Sequence, residues 1–169
     1  WERDRIEEFP MYFLGCLDAA LWDILAKVAG VPAYKILGGH KSRAKAYAST
    51  VTMNSLDEYL RLADRCLEKG YQAIKLHVWG RLKDDIQLVK RMRQHVGPEI
   101  ELMLDGSAGY TLDESIRLGR AMEEADYLWL EEPMREFNFL VYEKLCQTLD
   151  IPILAAECTD GCHFNAGEW

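Results

Sequence analysis

Three acidic residues recur at one interval along the chain: Asp105, Glu131 and Glu157, each 26 residues from the next (131 − 105 and 157 − 131). Each closes a short apolar run, "IELMLD", "YLWLEE" at its first glutamate, and "IPILAAE". Such runs read as strands and the stretches between them as helices. One strand-helix unit then separates each acid from the next, and all three stand at the carboxyl ends of consecutive parallel strands, where α/β proteins build their sites. Neighbouring strands lie about 4.8 Å apart, so three such side chains reach a common point. Left unneutralised they would repel one another in a low-dielectric pocket. A divalent cation removes that repulsion, and a donor set of oxygens alone, without His or Cys, favours Mg2+. A single acid at a strand end is as readily a charge at a helix start; three at equivalent positions select the metal reading.

Side-chain alternation refines the assignment, because residues two apart share a strand face. Tyr127, Trp129 and Glu131 fall on one face, expected to point inward, and Leu128, Leu130 and Glu132 on the face expected to pack under helices. Glu131 is therefore the site residue, with Glu132 behind it or at its rim. In the same way Ile100, Leu102 and Leu104 face the helices and Asp105 the interior. In "AIKLHVWG", Lys75 and His77 share the inward face opposite Ile74, Leu76 and Val78. An inward lysine needs a charge partner, which an acidic cluster supplies. Two roles stay open for this pair: proton-transfer groups, or a structural counter-ion beside a satisfied core histidine.

Elements to position these groups are legible along the chain. In "MYFLGCLDAALWDILAKVAGVP" Leu14, Leu17, Leu21, Ile24, Leu25 and Val28 follow the helical period, and Gly30 and Pro32 stop it. "KILGGHKSR" reads as a basic loop and "AKAYASTVTM" as the first strand. Ser55 with Glu58 and Thr111 with Glu114 have capping-box spacing at the starts of two helices, and Gly70 and Gly97 mark helix ends. The strands "QAIKLHV", "IELMLD", "YLWLEE" and "IPILAAE" alternate with helices in "RLKDDIQLVKRMRQHVGP", "TLDESIRLGRAMEEA" and "FNFLVYEKLCQTLD". The fold class is α/β, with about five parallel strands alternating with helices.

Composition narrows the partners. A net charge of −8 and a pI near 5.0 argue against nucleic acid. No run approaches the roughly 18 apolar residues that a membrane span requires. Five cysteines, at 16, 66, 146, 158 and 162, form no CxxC pair and read as reduced thiols of a cytoplasmic protein. Cys158, Cys162 and His163 alone make a weak zinc corner.

Lys75-x-His77, Asp105, the "LEEP" at 130–133 and Glu157, in this order and spacing, resemble the enolase superfamily, specifically its mandelate racemase and muconate lactonizing enzyme branch. The segment "DAALWDILAKVAGVPAYKILGG" is similar to that branch's link between capping domain and barrel. The resemblance implies a partial (β/α)7β TIM-like barrel, with residues 1–43 the end of the capping region and 44–169 the first part of the barrel. It implies Mg2+ on Asp105, Glu131 and Glu157, with Lys75 beside the carboxylate of a small-molecule substrate. It also implies removal of the α-proton with stabilisation of the enediolate.

Many members have a second lysine where this chain has His77. Dehydration of an acid sugar is therefore expected ahead of the alternatives, racemization or epimerization and lactonization. A non-catalytic Mg2+-binding α/β module is the rival from another class. Arg135, Asp160, His163, Ser107 and Glu132 are candidates to touch substrate or support the ligands. A closed barrel takes about 250 residues. The chain is thus expected to be a fragment, inactive in isolation and a homo-oligomer at full length.

Overall fold

The computed structural model describes residues 11–134 and 139–155, without the side chains of 11–13 and 139. The described residues form two compact units that part between Lys45 and Ala46.

The first unit holds helices α1 (Met11–Ala29) and α2 (Ala33–Ile36). Gly30, with φ 67°, ends α1 as the sequence predicts, and the Val31 N–H returns to the Ala26 carbonyl at 3.1 Å. This is the left-handed closure that only glycine adopts without a Cβ penalty. The single turn α2 was not foreseen; Pro32 supplies the preset backbone angle that starts it.

The second unit is a five-stranded parallel sheet in sequential order. Its elements are β1 (Ala48–Ser49), α3 (Leu56–Glu68), β2 (Ala73–His77), α4 (Leu82–Val96), β3 (Glu101–Asp105), α5 (Leu112–Glu124), β4 (Leu130–Glu131), α6 (Phe139–Thr148) and β5 (Ile153–Leu154). The strict alternation predicted from sequence holds. The capping chemistry holds in half at α3, where the Ser55 hydroxyl accepts from the Glu58 N–H while the Glu58 carboxylate takes the Asn54 N–H instead of that of Ser55. At α5 the reciprocal box is complete, with Thr111 Oγ1 accepting from the Glu114 N–H and Glu114 Oε2 from the Thr111 N–H.

One face of the sheet is sealed by helices. Ile74, Leu76, Leu102, Leu104 and Leu130 pack with Tyr59, Leu88, Met92, Leu118, Met122 and Leu145 in a single core. Each fully buried apolar side chain of this size contributes about 1.5–3 kcal/mol. Burying that face commits the alternate residues of β2 and β3 to the other one.

Strand lengths and one face assignment differ from expectation. β1, β4 and β5 are two residues each, much shorter than the apolar runs containing them. Before β4 the alternation fails. Asp126 is left-handed (φ 54°), and the Tyr127 N–H still bonds the Met122 carbonyl of α5, so Tyr127 belongs to the turn leaving the helix. Its ring lies in the helix-side core and its hydroxyl donates to the Val89 carbonyl at 3.2 Å. Leu128, expected under the helices, is 44% exposed. The period-two rule therefore applies from Trp129 onward.

Candidate functional site

Register sets the site. His77 pairs with Asp105 and Asp105 with Glu131, so these three stand level across β2, β3 and β4 at their carboxyl ends. Lys75 lies two residues below His77 on the same strand. Its ammonium bridges the acids, with Nζ 3.1 Å from Asp105 Oδ2 and 2.9 Å from Glu131 Oε1. All three side chains are nearly buried. Burial alone would lower the Lys75 pKa, but its hydrogen bonds and charge attraction to Glu131 and Asp105 outweigh that and hold it above the ordinary lysine value.

Every carboxylate oxygen of the pair has a donor. Asp105 Oδ2 also faces His77 Nε2 at 3.1 Å, and Asp105 Oδ1 accepts from the Ser107 N–H at 2.9 Å and from its hydroxyl at 3.3 Å. Glu131 Oε2 accepts from the indole Nε1 of Trp129 at 3.1 Å. His77 is held through its backbone as well: its N–H donates to Thr50 Oγ1 at 3.1 Å, and its carbonyl accepts from the Tyr59 hydroxyl. The other ring nitrogen of His77, Nδ1, is buried and has no hydrogen-bond partner among the described residues.

The loops beyond the strands are joined to one another. After β3, Ser107 and Ala108 are both left-handed (φ 46° and 58°), and after β4 so is Glu132 (φ 42°). Such backbone costs of order 1–3 kcal/mol per residue and persists where surrounding contacts impose it. Here the N–H groups of Gly106, Ala108 and Tyr110 donate to the carbonyls of Glu131, Glu132 and Pro133 at 2.7–3.0 Å. A Cβ at Gly106 would lie 3.0 Å from the Pro133 Cα, so the two segments approach this closely only with glycine there. Asp85, in the first turn of α4, ties the loop after β2 to the loop after β3. It accepts from the N–H groups of Trp79 and Arg81 at 3.1 and 2.5 Å and from the Tyr110 hydroxyl at 2.8 Å.

The structure thus brings Lys75, His77, Asp105 and Glu131 together, with Ser107 on Asp105, and buries Glu132 next in the chain to Glu131. Glu157, Arg135, Asp160 and His163, like Cys158 and Cys162, lie outside the described residues. Among the described residues no three His, Cys, Asp or Glu groups are placed to hold a metal ion. The residues that are described nevertheless fit a divalent cation. Two adjacent carboxylates, all-oxygen and almost out of solvent, converge on one point, and a single ammonium leaves one negative charge over. Sequence reasoning missed Thr50, Tyr59, Asp85 and the indole of Trp129. Only Trp129 carried a signal, its parity with Glu131.

The Enolase C-terminal domain-like family model matches residues 58–164. L-talarate/galactarate dehydratase of Salmonella typhimurium is 33% identical over 144 residues, covering 83% of this chain and 36% of the dehydratase. Among solved structures, a racemase from Streptomyces coelicolor A3(2) with bound magnesium superposes with a TM-score of 0.79 at 30% identity, over 89% of this chain and 47% of that one. D-glucarate dehydratase from Agrobacterium tumefaciens complexed with magnesium gives 0.75 at 33%, over 81% and 39%. The chain therefore spans between a third and a half of the length of these relatives, and its five parallel strands form part of a TIM-like barrel. Sequential parallel strands, a lysine bridging two strand-end acids and a match over most of the chain lead to one assignment: the chain belongs to the Enolase C-terminal domain-like family.

Proposed function

We propose that the chain supplies the metal-binding part of an active site that removes the proton α to a carboxylate, with acid-sugar dehydration as the reaction. The observation that carries this reading is the convergence of Asp105 and Glu131 on Lys75. Asp105 and Glu131, joined by Glu157 one unit further on, would hold Mg2+. The cation, when bound, supplies positive charge that stabilises the anion left when the α-proton departs. Lys75 is protonated and fixed by both acids, which suits it to hold a substrate carboxylate in place. His77 faces the site through Nε2, 3.1 Å from Asp105 Oδ2, and is with Lys75 the candidate to move the proton.

Dehydration is favoured over racemization by His77, whose imidazole stands where many members of the superfamily carry a second lysine. Two of the relatives above are dehydratases and one a racemase. Small acid sugars fit as substrates because Mg2+ and Lys75 together would receive a carboxylate flanked by hydroxyls.

The test has two stages. Calorimetric titration of the chain with Mg2+ should show binding that Asp105→Asn and Glu131→Gln each weaken by more than about 100-fold, beyond the range typical of groups that only support a ligand. Incubating aldonates and aldarates with Mg2+ and the full-length protein in D2O should give α-proton exchange and 2-keto product by NMR, and exchange without 2-keto product for every substrate would overturn dehydration. The 169-residue chain alone should give neither signal. Mg2+ binding unchanged in both variants would remove the metal reading, and turnover by the isolated chain would overturn its expected inactivity.

A further inference from the structure

Glu131 is held from both sides, and one of its two holders has no part in the chemistry proposed above. Lys75 takes Oε1 at 2.9 Å, whereas the indole N–H of Trp129 takes Oε2 at 3.1 Å. Trp129 and Glu131 are two residues apart on one face of the chain entering β4, so the indole reaches its own strand's carboxylate without any loop between them. The ring is seated in turn by Tyr47, just before β1. The two rings meet edge-on, with centroids 5.8 Å apart and planes at 75°. The Tyr47 ring also lies 6.0 Å from Lys75 Nζ. One aromatic side chain thus backs both groups that grip Glu131.

A glutamate side chain has three rotatable bonds, and ordering it at the moment of ligation costs free energy that a fixed carboxylate has already lost on folding. A donor on the far oxygen also fixes the plane of the carboxylate. From this we infer that Trp129 is a positioning residue for the metal: its N–H holds Glu131 in a ligating orientation before the cation arrives, and Tyr47 holds Trp129. The inference rests on the Mg2+ reading of Asp105 and Glu131.

Trp129→Phe keeps an aromatic ring beside Tyr47 and removes the indole N–H together with part of the ring area. Mg2+ affinity, measured by calorimetry on the full chain, should fall about 10- to 100-fold, the range for losing a group that orients a metal ligand. The melting temperature without Mg2+ should fall as well, by about 3–10 °C for the lost bond to a charged group, and the affinity is read on the chain that is still folded. Tyr47→Phe, which preserves the ring contact, should bind Mg2+ like the parent chain. Should the parent bind Mg2+ and W129F bind it equally well, Trp129 has no positioning role while the metal reading stands. Absence of Mg2+ binding by the parent overturns both.

A second readout does not depend on W129F folding. In the 15N-labelled parent chain, one of the five tryptophan indole N–H resonances should exchange slowly, shift along the Mg2+ saturation curve, and move in E131Q. Five indole signals indifferent to both Mg2+ and E131Q would overturn the inference.

Discussion

The two ends of β3 and β4 each carry one cation that gathers acceptors from several segments, and the acceptors differ in kind. At the entering ends, the Arg93 guanidinium of α4 donates to four carbonyls, those of Gly97, Ile100, Ala125 and Asp126, at 2.6–2.7 Å. All four are dipoles of turns that must be closed for the strands to begin. Its charge is spread over five donors in a rigid fork and asks for no counter-ion. At the leaving ends, Lys75 meets two full charges, Asp105 and Glu131, and the neighbouring backbone is left-handed at Ser107, Ala108 and Glu132. Arg93 completes hydrogen bonds that folding would otherwise leave unmade. Lys75 restrains a pair of like charges that folding has forced together, which is an arrangement with free energy to release on binding a stronger cation. Stability at one end of the strands and function at the other is the division expected of barrel sheets.

The sharpest way to break that comparison is Lys75→Met. Removing the ammonium leaves two buried carboxylates uncompensated, and the loss should be about 3–5 kcal/mol, read as a fall in the chemical-denaturation midpoint. Saturating Mg2+ should recover much of it, because the cation binds the folded state alone and replaces the missing charge. A K75M chain that is as stable as the parent without Mg2+ would mean that the acids are already relieved by some other group.

Arg93→Met tests the opposite end. Four carbonyls lose a charged donor, some of them regaining water, and about 2–3 kcal/mol should be lost. Here Mg2+ should make no difference beyond what it does for the parent, and the Mg2+ affinity of the folded variant should be unchanged. Recovery of R93M by Mg2+ would show that the two ends are coupled and that the contrast between them is false.

How far this division could be read from sequence follows from what each feature depends on. The acids at 105 and 131 were legible because strand ends, glycine stops and capping boxes are local signals, and the reciprocal Thr111–Glu114 box formed as its spacing predicted. Lys75 and His77 were legible through alternation along a five-residue strand. Alternation misled at Tyr127 because two residues of β4 are too few to carry the rule backward into a helix-terminal turn. Arg93 and Asp85 were invisible for a different reason. Each reads locally as an ordinary charge on an amphipathic helix, and what makes it matter is acceptors or donors up to 33 residues away that only the fold brings within reach.

Thr111→Ala should show that not everything near the leaving ends of the strands serves the site. The cap of α5 contributes about 1 kcal/mol, and its loss should leave Mg2+ affinity untouched. The pH dependence distinguishes it further. Bonds from the Thr111 N–H and hydroxyl hold the Glu114 carboxyl below its ordinary range, so the folded pKa lies under the unfolded one. The stabilisation is therefore complete above the unfolded value of about 4.3 and is lost as pH falls through the lowered folded value. In T111A the hydroxyl's share of that acid sensitivity should disappear, which stability curves between neutral pH and pH 3 would show.

The smallest effect has the opposite sign. Ala108 sits at φ 58°, a conformation that glycine enters without the Cβ clash, so Ala108→Gly should stabilise the chain by about 0.5 kcal/mol after the entropy lost by a glycine on folding is counted. A gain there, three residues from Asp105 and bonded to the Glu132 carbonyl, would mean that strain at the leaving ends is real and is maintained by the sequence. The same substitution also frees the segment that carries the Ser107 N–H to Asp105 Oδ1, and Mg2+ affinity should fall slightly as stability rises. Stability and affinity moving in opposite directions is the signature of strain held for the site. If both rose together, the left-handed turn would be a cost of the fold alone, and the leaving ends would resemble the entering ends more than Lys75 and Arg93 suggest.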